Sequence, residues 1–130
     1  SKLLIEIANL KNIIKTKDAE YTKFQEELAL EIVALKDGLL DDIKAKGDGT
    51  TKLEGELFSR RIENINQILE KLGVKQIAAP LNRMADFIQI VGTVENPKRK
   101  DGLVAEITKV GYFRNDELLR PTHVIVVKNN

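Results

Sequence analysis

The chain has 130 residues, 42% of them hydrophobic and 32% charged, with a formal net charge of +1. That is the size of one domain, too apolar for a disordered segment, and the near-neutral charge gives no electrostatic case for nucleic acid or an anionic membrane. The absence of cysteine excludes disulfides and thiolate chemistry and fits a reducing cytosol.

No apolar run approaches the roughly 20 residues that a bilayer span needs, and the start carries no signal-peptide core. Opening on Ser1 instead of Met points to a trimmed N-terminus. From Leu3 the apolar residues Leu3, Ile7, Leu10, Ile14, Tyr21, Phe24 and Leu28 alternate four and three apart, interrupted only where Lys17 falls on the seam. A stripe this narrow is the seam of a coiled coil, and a second copy of the same helix is its simplest partner. Lys17 either sets register there or snorkels outward.

Beyond Leu28 the apolar face widens, through Leu30, Ile32, Val33, Leu35, Leu39, Leu40 and Ile43, as expected for entry into a bundle. Gly38 is the expected bend point of this region, with the break falling somewhere between Leu28 and Gly38. Lys44, Lys46 and Gly47 form a helix stop. After the loop KGDGTT, Thr51 and Glu54 have the spacing of a capping box. Leu53, Leu57, Phe58, Ile62, Ile65, Leu69 and Leu72 then recur at helical spacing up to Gly73. The expected unit is a helical hairpin, and two hairpins from two chains would close a four-helix bundle.

After Gly73 the composition changes to short β-branched runs, VKQIAA, FIQIVGTVE, LVAEITKVGYF and THVIVVK, which predict four or five strands. KRKDG (98 to 102) and RNDE (114 to 117) read as exposed turns, and Pro80 and Pro97 sit where strands should stop. In the last run Val124 and Val126 share one face while Ile125 and Val127 share the other, so both faces are at least partly covered.

Chemical constellations are absent from the pattern. His123 is the only histidine, so neither a metal site nor a nucleophile pair assembles around it, and it reads as a strand surface residue. Asp37, Asp41, Asp42 and Asp48 lack the spacing of a calcium loop and read as helix surface and connection. The KRK run is a solvated turn. No enzyme, metal or cofactor is expected.

The ending DGLVAEITKVGYFRNDELLRPTHVIVVK, with Gly111, Tyr112, Leu119, Arg120, Pro121, Val124 and Val126, resembles the C-terminal pattern of the GrpE family, the nucleotide exchange factors of DnaK-type chaperones. VGTVENP (91 to 97) and ILEKLGVKQI (68 to 77) are similar to that family's strand and to its bundle junction. The resemblance implies an α+β fold: a long N-terminal coiled-coil helix, a helical hairpin forming a dimeric four-helix bundle, and a small C-terminal β-domain, or wing. The expected division is residues 1–73 for the helical dimerisation region, coiled coil to about residue 30 and hairpin thereafter, and 74–130 for the wing.

The family likeness also implies a bacterial cytoplasmic homodimer, with possible heat sensing by the long helix. Its partner would be the nucleotide-binding domain of a DnaK-type chaperone, without nucleic acid or membrane. Carried over by position, Leu81 and Val126 become chaperone contacts, although core burial is the reading of either without the resemblance. Val124 belongs to the core. Glu117 stands where many members carry an Arg that pairs with an acidic chaperone residue, so Arg114 or Arg120 would have to substitute. Arg120 pairs either with the chaperone or with a local carboxylate. The dimer interface is expected to use Leu3, Ile7, Leu10, Ile14, Tyr21, Phe24, Leu28, Ile32, Leu35, Leu39, Leu57, Ile62, Ile65 and Leu69. The rival reading is a coiled-coil dimer scaffold whose wing docks an unrelated protein.

Overall fold

The computed structural model describes residues 1–49 and 51–130; Thr50 of the connecting loop and the side chain of Asp48 lie outside the described residues. Helix α1 spans Lys2–Lys46, 45 residues, about 68 Å at 1.5 Å per residue. The expected break between Leu28 and Gly38 is not there: the helix runs through Gly38 without interruption. One interior glycine costs only about 1 kcal/mol against Ala, and the turns on either side are rich in Leu, Ile, Val, Lys and Glu or Asp. The stop forms as expected at Gly47, whose φ of 52° is open to a residue without Cβ.

A 3₁₀ turn at Gly47–Gly49 leads to α2, Lys52–Lys71, whose first turn is capped by Thr51 accepting from the Glu54 backbone N–H at 3.1 Å. The Glu54 carboxylate is engaged as well. It takes the Thr51 hydroxyl at 3.3 Å and an ion pair with Lys46 of α1, and the hydrogen bond and charge of Lys46 hold its carboxyl below the usual glutamate range. The pair ties the ends of the hairpin together.

Gly73, at φ 75°, turns the chain from α2 into β1 (Val74–Gln76). Five further strands follow: β2 (Ile88–Val94), β3 (Val104–Lys109), β4 (Tyr112–Arg114), β5 (Glu117–Arg120) and β6 (Thr122–Val127). They form two three-stranded sheets, β1-β4-β5 and β2-β6-β3. All pairs are antiparallel except β2 with β6. Six strands replace the expected four or five because LVAEITKVGYF divides at Val110 and Gly111, one half going to each sheet, and because Glu117–Arg120, outside every expected run, forms β5. The RNDE segment is itself a tight hairpin: Asn115 and Asp116 sit at φ 53° and 80°, the left-handed pair that a two-residue hairpin turn demands and that Asn and Asp tolerate.

The Gly-Tyr pair has a steric cause. A Cβ on Gly111 would lie 2.6 Å from the backbone nitrogen of Thr122 and 2.8 Å from the carbonyl carbon of Pro121. The close approach lets the Gly111 N–H donate to the Thr122 hydroxyl at 3.1 Å while its carbonyl accepts from Ile77 at 2.9 Å. Because backbone cannot give way as a side-chain tip can, Gly111→Ala is expected to cost about 2–3 kcal/mol, read as a fall in the urea midpoint with unchanged m-value.

The main core sits at the joint between helices and wing. Ala29 and Val33 of α1, Leu69 of α2, Val74 of β1 and Tyr112 of β4 form one buried cluster, with Ile32, Ile65, Leu72, Val110 and Leu119 packed on it. The second sheet is centred on β6, where Thr122, Val124, Val126 and Val127 are buried between β2 and β3. Both faces of that strand are covered, as its imperfect alternation predicts.

Candidate functional site

Residues 2–24 of α1 are exposed along their whole length. Leu3, Ile7, Leu10, Ile14, Tyr21 and Phe24 are therefore covered by no other element of their own chain, and Leu35 and Leu57 are likewise exposed. Leu28, Ile32, Leu39 and Ile62 are half-buried. Ile65 packs on the joint core, and Leu69, 3% exposed, belongs to it. The expected interface role of Leu69 is thus corrected: its side chain is used up within the protomer, because α2 must cover α1 and the first sheet before it can cover a second copy.

The wing is fastened to α1 by side chains. Arg120, at the end of β5, donates from both terminal nitrogens to Asp37 at 2.6 and 3.1 Å and from Nε to the Val110 carbonyl at 2.9 Å. Its guanidinium carbon lies 5.6 Å from the Tyr112 ring centroid, within cation–π range. On the other side Lys36, 6% exposed, donates to the Tyr112 hydroxyl at 2.9 Å. A phenol oxygen lies in the ring plane, so this ammonium sits beyond the ring edge and not over its face. Arg114 donates from Nε to the Leu72 carbonyl at 3.2 Å and is hydrogen-bonded to Gln25.

These placements decide several expectations. Arg114 is buried and braces the ends of α2 and β4 against α1, so its guanidinium is not presented to a partner. Arg120 takes the local carboxylate of its two expected partners. Val126 is 5% exposed in the central strand, and its side chain fills the wing interior in the free chain. Glu117 is exposed at the start of the edge strand β5, opposite Arg114 in register.

The most exposed apolar side chains of the wing lie in the segment between β1 and β2, while Ile90, Val91, Val94 and Leu118 on the strands are 43–47% exposed. Leu81 is 78% and Met84 81% exposed, and Phe87 is half out of the surface. Their backbone is nonetheless held. The Leu81 carbonyl accepts from Val104 at 2.9 Å, the Arg83 N–H donates to Gly102 at 2.8 Å, and the Phe87 carbonyl accepts from Thr122 at 2.9 Å. The Asn82 side chain takes the Met84 N–H at 2.9 Å. Phe87, expected to begin a strand, has φ 59° and turns its ring edge-on to Phe113, centroids 4.9 Å apart at 81°. β2 begins one residue later. Met84 went unassigned in the sequence, because nothing in the spacing of IAAPLNRMADF separates an exposed apolar residue from a buried one.

This surface presents two large apolar side chains on a fixed backbone, so covering them would leave little ordering entropy to lose. A family model described as GrpE matches residues 1–128. The chain belongs to the GrpE family. It is 24% identical over 126 residues to Protein GrpE of Campylobacter fetus, covering 95% of this chain and 73% of that one. It is 30% identical over 135 residues to Protein GrpE of Thioalkalivibrio sulfidiphilus, with 98% and 71% covered. With Protein GrpE of Acinetobacter baumannii the identity is 33% over 102 residues, 78% and 53% of the two chains. In this GrpE-family chain the long helix, the second helix and the small sheets together make the expected α+β fold.

Proposed function

We propose that this chain is an adenine nucleotide exchange factor for a DnaK-type chaperone, working as a homodimer whose wing meets the chaperone's nucleotide-binding domain through Leu81 and Met84. Family membership carries the reading, and the anchored apolar segment gives it a contact surface. The factor does no chemistry: it binds the open, nucleotide-weak form of its partner more tightly than the closed form, and shifts the equilibrium by that difference alone. Linkage makes the effect reciprocal, so ATP rebinding expels the factor.

Complex formation on a size-exclusion column tests this directly. The complex forms with nucleotide-free chaperone and dissociates on ATP addition; a complex equally stable with and without ATP contradicts exchange and favours the scaffold reading.

The exposed seam of α1 is assigned to a second copy, which also uses Leu35 and Leu57. In this reading the arm up to Phe24 is held only by its partner helix, whereas the segment from Ala29 onward is held by the joint core. Heating followed by circular dichroism is then expected to show two steps: the arm unwinds first while Leu35 and Leu57 keep the chains paired, and the later step, which separates them, depends on concentration. The arm thereby serves as a heat sensor. A single cooperative transition contradicts this division.

A further inference from the structure

Among the described residues, four side-chain links tie α1 to the wing beside the joint core: two ion pairs, Arg120–Asp37 and Lys44–Glu106, and two hydrogen bonds, Lys36–Tyr112 and Arg114–Gln25. From α1, Asp37 holds Arg120 through two hydrogen bonds and Lys36 holds the hydroxyl of Tyr112. Arg120 and Tyr112 belong to the first sheet, and they touch each other, with the guanidinium packed against the ring. Asp37 and Arg120 are both largely buried, so water competes poorly for their charges. Lys44 to Glu106 at 3.5 Å, the ion pair from α1 to the second sheet, is exposed at both ends and adds little.

Hydrophobic contact alone does not select an angle between two elements, since it is non-directional. A planar guanidinium gripping a carboxylate on two points does. Asp37 and Lys36 are successive residues on one helix, and they reach β5 and β4 of the same sheet. The two hydrogen-bonded links therefore restrain rotation of the sheet about the helix as well as its distance. The Arg120 Nε bond to Val110 stiffens the strand connection that carries the load to the second sheet.

From this geometry we infer that Asp37, Arg120, Tyr112 and Lys36 form a latch of positioning residues that holds the wing at the angle in which Leu81 and Met84 meet the chaperone. The latch touches no partner. It acts by keeping the binding-competent orientation populated, so its loss weakens apparent affinity without altering the complex once formed. This inference rests on the exchange-factor reading for its consequence, while the latch itself is testable without any partner.

The chain has no cysteine, so cysteines placed at the exposed positions Glu31 and Lys98 give one spin-label pair within each protomer, read in heterodimers with unlabelled chain. Pulsed dipolar spectroscopy of the otherwise unaltered protein shows one narrow distance population between helix and wing. Asp37→Ala broadens it, and Asp37→Arg combined with Arg120→Asp narrows it again, with the helical dichroism unchanged. Asp37→Asn is isosteric, keeps the packing, and carries the test should Asp37→Ala fail to fold. In nucleotide release the concentration for half-maximal acceleration rises about tenfold with the plateau unchanged, the pattern of a smaller competent fraction. A distribution that stays narrow in Asp37→Ala or Asp37→Asn overturns the latch. A narrow unaltered distribution together with no acceleration by the unaltered protein overturns the exchange reading and leaves the latch standing.

Discussion

Leu81→Ala combined with Met84→Ala is expected to raise the concentration needed for half-maximal acceleration of ADP release about a hundredfold, each truncated anchor costing about 1.4 kcal/mol or more of binding. Both side chains are mostly exposed in the free protein and both are carried on backbone that is already hydrogen-bonded. Their burial against a partner therefore gains apolar area at little ordering cost. Because they contribute almost nothing to the fold, the melting curve of the double variant should overlay that of the parent within about 2 °C. Fluorescence titration of a chaperone loaded with a fluorescent ADP analogue reads the first effect and circular dichroism the second. An unchanged titration would move the contact surface elsewhere on the wing or onto α1.

Leu69→Ala is expected to cost about 3 kcal/mol and lower the melting temperature of the joint by about 10 °C. Leu69 is the buried residue of α2 and it sits against Ala29 and Val33 of α1, Val74 of β1 and Tyr112 of β4. Truncation opens a cavity that lies between three elements at once, and no neighbour can relax into it without moving the helix, the strand or the latch. Leu35→Ala is the contrast: the side chain is exposed in the protomer, so its loss should weaken association, seen by sedimentation equilibrium, and leave the joint melting step in place. Equal effects of the two substitutions on that step would show that the core at the joint is not separate from the interface between chains.

Much of this architecture was legible because it rests on local rules. The 3.6-residue and heptad spacings marked α1 and α2, Gly47 and Gly73 marked their ends, and Thr51 marked the start of the second helix. Gly38 misled because one interior glycine costs too little to break a helix whose neighbouring turns favour it. The strands were undercounted where the chain changes sheet, at Val110 and Gly111, a switch set by the close approach of Gly111 to Thr122, and at Glu117–Arg120, which pairs as an edge strand without a β-branched run of its own. The same limit applies to the site. Leu81 was assigned from the family likeness alone, and the burial of Val126 depends on β6 lying between β2 and β3. The capture of Arg120 by Asp37 joins residues 83 positions apart, and no spacing in the sequence announces it. Arg114 looked available because RNDE reads as a turn, whereas the two-residue hairpin places only Asn115 and Asp116 in the bend.

The most direct measurement is the release rate of a fluorescent ADP analogue from a bacterial DnaK-type chaperone, with and without this protein. Strong acceleration, saturating with concentration and lost when Leu81 and Met84 are truncated, is the predicted result. No acceleration of release from any bacterial DnaK-type chaperone, by a protein shown to be folded and dimeric, would contradict the account.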